Sequence, residues 1–202
     1  MKIISITNSK LIDGNIEDFY VQIEKIAKAK PTKIIIREKE LLEQDVFEIS
    51  KRCLEICKKY DVEIAINKFI EIAKKLEIKN LHLSLPDFKD NYGDLDFFDC
   101  VGVSIHSLDE ALLAEKLGAN YLIAGHIFMT DCKKGVLPRG ISFLKEICEK
   151  VNIPVFAIGG IDLSNVSEIN KTKAEGICLM SSLMKDKEPS LLIQKLKTKV
   201  IQ

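Results

Sequence analysis

The chain has 202 residues, 30 of them basic and 30 acidic, so its formal net charge is zero. That length fits one domain over residues 1–202, near the short end of what an eight-fold β/α barrel needs, and leaves little room for a second. The balanced charge, without a long run of either sign, argues against a nucleic-acid scaffold, and no uninterrupted apolar segment reaches the length of a membrane span.

Short apolar runs rich in β-branched residues alternate with segments of helical period, the pattern of βαβ units around a parallel sheet. In chain order the reading begins with a strand at Ile3–Thr7, a helix at Ile16–Lys28, a strand at Lys33–Arg37 and a helix at Leu42–Tyr60. A strand at Glu63–Asn67 is followed by a short helix at Phe69–Leu76 and a strand at Asn80–Leu83. The acidic, aromatic stretch Pro86–Phe98 stands in place of a proper helix. The strand Cys100–Ser104 then leads into a helix over Ser107–Leu117, with Ser107 and Glu110 spaced as a capping box and Gly118 as the stop. The remaining units are strands at Tyr121–Ala124, Val155–Ile158 and Gly176–Leu179, with helices at Ile141–Val151 and Ser190–Val200. Eight strands and the lack of a Gly-rich fingerprint after the first favour a single-domain α/β (β/α)8 TIM barrel over an open doubly wound sheet, which periodicity alone leaves standing.

Cys53, Cys57, Cys100, Cys132, Cys148 and Cys178 are scattered with no CxxC pair, which suits free thiols in a reducing compartment. The N-terminal MKIISITNS lacks the features of a signal peptide, so a cytoplasmic protein is expected.

A barrel of this kind carries its active site at the strand C-termini, which directs attention to the polar residues just past each apolar run. These are Arg37, Glu38 and Lys39; Asn67 and Lys68; Ser104 and His106; Gly125 and His126; Gly159 and Gly160; Met180, Ser181 and Ser182. Gly159 and Gly160 would let backbone amides approach a ligand, and Ser181 with Ser182 could open a short helix whose N–H groups attract an anion; together they suggest a phosphate cradle. Arg37 and Lys39 share a face opposite Glu38 and could clamp an anion, or could simply be solvated charges at a strand end. His126, after an apolar strand and a glycine, is placed to exchange protons near neutral pH. His82, between Leu81 and Leu83, fits a packed or hydrogen-bonded structural histidine better, and the three histidines lack the recurrent spacing of a zinc site. The polar loop from Thr130 to Gly140 could close over an anionic ligand, with Cys132 as an ordinary loop thiol.

Arg37-Glu38-Lys39, Asn67, the run from Gly102 to Ala111, Ala157-Ile158-Gly159-Gly160-Ile161 and Met180-Ser181-Ser182 resemble the thiamine phosphate synthase superfamily over nearly the whole chain. Within it, the run from Gly125 to Gly135, ending in Arg139-Gly140, is similar to TenI-type thiazole tautomerases. The resemblance implies His126 as the catalytic residue and Gly159, Gly160, Met180 and Ser181 as the phosphate site. It implies Arg37, with Lys39 or Lys133, against a carboxylate or developing negative charge, and Asn67, Ser104, His106 and Thr130 around the ring of a small-molecule thiazole phosphate. Neither a metal nor another cofactor is expected, nor a nucleic-acid or membrane partner; a homodimer is common among such proteins.

The synthase pattern has an aspartate that helps bind magnesium where this chain has Lys68, a proline where it has His126, and a glutamine where it has Ile35. It has Thr-x-Thr-Lys where this chain has Thr130-Asp131-Cys132-Lys133, and Asp87 is left to match its other acidic ligand. In the other direction, Arg37-Glu38-Lys39 is closer to the synthase's own strand end. The reading is therefore an isomerase, a thiazole tautomerase, with thiamine phosphate synthase as the alternative and a non-catalytic TenI-like binding or regulatory protein as a third.

Overall fold

A computed structural model describes residues 1–133 and 135–199. The eight strands close into a barrel in sequence order, every neighbouring pair parallel, including the first with the last. They are β1 Lys2–Ile6, β2 Lys33–Ile36, β3 Glu63–Asn67, β4 Asn80–Ser84, β5 Cys100–Ile105, β6 Tyr121–Gly125, β7 Val155–Ile158 and β8 Gly176–Leu179. The helices are α1 Ile16–Lys28, α2 Glu43–Tyr60, α3 Ile70–Lys75, α4 Leu85–Asp90, α5 Leu108–Lys116, α6 Gly140–Lys150, α7 Val166–Asn170, α8 Ser181–Lys185 and α9 Pro189–Lys199. The expected end of the last helix at Val200 lies outside the described residues, as does Lys134 of the polar loop.

Alternation along each strand divides the apolar side chains into two sets. Ile4, Ile6, Ile35, Ala65, Tyr121, Ile123, Phe156 and Cys178 form one buried cluster enclosed by the strands. Their neighbours Ile3, Ile34, Ile36, Ile66, Leu122 and Ala124 face outward into a larger cluster with Phe19, Ile23, Ile26, Ile56 and Leu144 from the surrounding helices. Each fully buried Ile or Phe contributes about 1.5–3 kcal/mol by leaving water. A strand buried on both faces must read as a continuous apolar run, which is why Ile34, Ile35 and Ile36 stand together.

Several local expectations change. The first two strands stop one residue early, because the Thr7 hydroxyl replaces a ladder carbonyl: the Arg37 N–H donates to Thr7 Oγ1 at 3.0 Å. The stretch from Pro86 to Phe98 holds a short helix after all, α4, followed by one 3-10 turn at Tyr92–Asp94. Ser84 caps it by accepting from the Asp87 N–H, and Pro86 falls in the first turn, where no N–H is required. At α5 the Ser107 hydroxyl accepts from the Glu110 N–H, but the Glu110 carboxylate reaches one residue further back, to the His106 N–H. The reciprocal capping box sits on α1 instead, between Asn15 and Asp18.

Candidate active site

At the C-terminal mouth, β2 leads into Arg37, Glu38 and Lys39, and the alternation predicted for these three is what the structure has. Glu38 turns away and is buried at 4% exposure, where it accepts from Thr7 Oγ1 at 2.7 Å, Ser9 Oγ at 2.7 Å and the Ser9 N–H at 2.9 Å. A buried carboxylate with three donors is a fixed point, so it holds the strand end in register while Arg37 and Lys39 face the mouth. Burial is the main influence lowering the Arg37 pKa, opposed chiefly by Glu38. Burial and then the Arg37 cation push Lys39 below its ordinary value; Asp87 opposes this, while Lys68 and Lys133 add to it. Three cations, Arg37, Lys68 and Lys133, and the Asp87 carboxylate therefore lie near enough to Lys39 to act on its charge. Lys68 belongs to that group although its sequence position marked it only as a lost metal ligand, because charge convergence across loops has no signature along the chain.

Asn67 is buried and donates through Nδ2 to the His82 carbonyl at 2.9 Å, so its amide nitrogen is engaged with β4. Ser104 lies in register with Ser84, and its Oγ is 2.8 Å from His82 Nε2. His106 Nδ1 donates to the Gly125 carbonyl at 2.9 Å. A carbonyl only accepts, so Nδ1 carries a hydrogen, and Nε2 is left without a partner in the protein among the described residues. Arg139, which had no assigned role in the sequence, donates through Nε to the same carbonyl at 3.1 Å, with its backbone N–H on the His126 carbonyl at 2.9 Å.

His126 is buried at 4% exposure, joined to Gly125 by a cis peptide bond, with its Cα and Cβ against Gly159. Its Nε2 lies 3.3 Å from the Val136 carbonyl in the loop after β6, which places hydrogen on Nε2 and leaves Nδ1 without a partner among the described residues. In the same loop Thr130 precedes a 3-10 turn at Asp131–Lys133, and the Lys133 N–H donates back to the Thr130 carbonyl at 3.2 Å. Met129, Val136 and Leu137 are exposed there.

Gly159 and Gly160 both have positive φ, +101° and +65°. The space a side chain would take is filled by protein: a Cβ at Gly159 would meet His126, and one at Gly160 would meet the Met129 carbonyl and Phe128. The glycines are thus required for packing the β7 turn under the β6 loop, a reason the sequence reading did not include. Among the described residues, the backbone N–H groups of Gly159, Gly160, Met180 and Ser181 find no acceptor in the protein, and Ser181 opens α8. The Gly159 and Gly160 carbonyls are occupied, by the Phe128 N–H and by Asn165 Nδ2.

A magnesium site of the synthase kind does not fit these residues. Asp87 is a single carboxylate that accepts from the Ser84 hydroxyl at 2.6 Å and faces Lys39, while the neighbouring position is Lys68. Among the described residues no group of three or more His, Cys, Asp or Glu side chains is gathered as metal ligands would be. Among the same residues no helix is long and apolar enough to cross a membrane.

Residues 3–183 match the family model described as thiamine monophosphate synthase. A thiamine-phosphate synthase of Fusobacterium nucleatum is 32% identical over 196 residues, covering 93% of this chain and 91% of that protein. The putative thiamine-phosphate synthase 2 of Aquifex aeolicus is 35% identical over 171 residues, covering 83% and 91%. The solved structure of a thiamine phosphate pyrophosphorylase from Pyrococcus furiosus superposes with a TM-score of 0.82 at 28% identity, covering 99% of this chain and 95% of that one. These names are those of a transferase, the alternative in the sequence reading, and none distinguishes a tautomerase. Fold, motifs and relatives agree at the level above that distinction: the chain belongs to the thiamine monophosphate synthase family, enzymes of thiamine biosynthesis.

Proposed function

We propose that this chain binds a phosphorylated thiazole carboxylate and tautomerises it, moving a proton from ring C2 to the exocyclic carbon so that the ring becomes aromatic. The reaction is an isomerisation: one C–H bond breaks, one forms, and no electron acceptor is needed. The observation that carries the reading is the buried imidazole of His126, whose Nε2 is held by the Val136 carbonyl and whose Nδ1 stays open, beside the Gly159 turn. Such a group takes a proton from one carbon and returns it to another, for roughly a 10²–10⁴-fold gain.

The unpaired amides of Gly159, Gly160, Met180 and Ser181 would receive the phosphate, with the dipoles at the start of α8 aimed the same way. Arg37, Lys39, Lys68 and Lys133 would balance the carboxylate and the charge that develops when C2 is deprotonated. Asn67, Ser104, His106 and Thr130 would border the ring. Fixing the substrate at both ends supplies the remainder of the rate through positioning.

The second reading is the synthase itself, favoured by the names of the relatives. A paired assay separates the two. Tautomerisation of the thiazole carboxylate phosphate without added metal, and no diphosphate release from a pyrimidine diphosphate with magnesium, is the expected result. Magnesium-dependent diphosphate release without tautomerisation establishes the synthase instead.

A further inference from the structure

Inside the barrel, below its C-terminal mouth, three polar side chains from adjacent strands touch in sequence. His82 of β4, Gly102 of β5 and Tyr121 of β6 are register partners in one row across the sheet. Because Gly102 has no side chain, the Tyr121 ring lies over it; a Cβ there would overlap the ring. The tyrosine thereby crosses a whole strand and brings its hydroxyl 3.2 Å from His82 Nδ1, the two rings 5.6 Å apart and 29° from parallel. On its other side His82 Nε2 meets Ser104 Oγ, one pleat nearer the mouth, at 2.8 Å.

The order of hydrogens along this row follows from counting donors and acceptors. Burial drives the His82 pKa down to about 3, and Lys33 adds to the effect, so the ring is neutral and has one donor nitrogen and one acceptor. If Nδ1 accepts from the Tyr121 hydroxyl, Nε2–H donates to Ser104 and every buried hydrogen has a partner. If the row runs the other way, the Tyr121 hydrogen is left in the core, since among the described residues that hydroxyl has no other hydrogen-bonding neighbour. An orphaned buried hydroxyl biases the two arrangements by roughly tenfold or more. In the favoured order the Ser104 oxygen receives from below, and its own hydrogen remains for something above it.

We propose that Tyr121 and His82 are positioning residues that set Ser104 as a hydrogen-bond donor to the ligand, so that the pocket selects an acceptor atom, such as a ring heteroatom or carboxylate oxygen, over a donor at that point. Only the identity of the ligand rests on the function proposed above; the direction of the row does not.

The test begins with ligand-free protein, 15N-labelled at histidine, whose three imidazoles are assigned by losing one signal at a time in His106→Asn and His126→Asn. The expected result is His82 as the neutral Nε2–H tautomer at pH 7. An Nδ1–H or charged His82 overturns the proposal whatever reaction the enzyme performs. The second arm measures the Kd of the aromatic thiazole carboxylate phosphate by calorimetry. Ser104→Ala is expected to weaken binding about tenfold, and Tyr121→Phe by several-fold in the native chain but not at all in the Ser104→Ala background. Equal losses from Tyr121→Phe in both backgrounds would show that the tyrosine acts on packing alone. Should Tyr121→Phe fail to fold, the tautomer of the native protein still decides the matter.

Discussion

The two ends of the barrel treat their polar groups in opposite ways. At the N-terminal end they are used up on one another: Lys33, buried inside β2, donates to Asn80 Oδ1 at 2.7 Å, lies 3.4 Å from the Glu63 carboxylate and sits 5.2 Å from the Tyr121 ring centroid. The Val101 N–H is taken by Asn120 Oδ1 at 2.6 Å. At the C-terminal end valences are left over: the amides around Gly159 and Ser181, Nδ1 of His126, Nε2 of His106 and the hydrogen of Ser104. At these two ends a closed set of partners goes with residues that hold the fold and an open set with residues placed to meet a ligand, a rule that stops at the barrel since Ser50 Oγ in α2 is also buried and unpaired. Burial alone does not separate them, since Lys33 and His126 are similarly covered.

That contrast can be broken most severely at His126. His126→Asn keeps the packing against Gly159 but removes the proton carrier, so kcat for the tautomerisation should fall about 10²–10⁴-fold with little change in thermal midpoint. Unchanged turnover would take His126 out of the mechanism. Lys33→Ala should do the reverse: truncation leaves the Asn80 carbonyl without its donor and a gap beside Tyr121, costing about 2–4 kcal/mol in urea unfolding while the folded fraction turns over normally.

A smaller effect sharpens the boundary between the two ends, at His82. Its folded pKa, about 3, lies below the unfolded value near 6.5, so between these limits the unfolded chain binds a proton that the native chain does not. Stability from this group is therefore complete above about pH 6.5 and declines as pH falls, by up to about 1.4 kcal/mol per unit. Urea midpoints at pH 7, 6 and 5 check this against a His82→Gln variant, in which that share of the slope should vanish.

The barrel was legible because its causes are local. β-branched runs such as Ile34–Ile36 have to be strands covered on both faces, and the alternation of Arg37, Glu38 and Lys39 fixes which of them face the mouth. The pocket was readable only where a residue follows a strand directly. Sequence reasoning singled out His126 and the glycine turn as candidates but not their surroundings, because Val136 and Arg139 reach them, and Lys68 reaches Lys39, by loops whose paths no period encodes. The sequence left His82 as either packed or hydrogen-bonded; the structure has it hydrogen-bonded, to a partner, Tyr121, that is 39 residues away and looks like an ordinary apolar strand residue. The requirement for Gly159 and Gly160 was visible and its reason was not, since the atoms they avoid belong to the preceding loop.

The missing side chain at Gly102 ties two distant sites in the gene into one choice. As long as a large aromatic ring fills that gap, even a methyl group is forbidden on the neighbouring strand, and relaxing one position demands shrinking the other at once. Evolutionary routes that change this cross-section must therefore alter both codons together, or pass through an intermediate with a hole in the barrel.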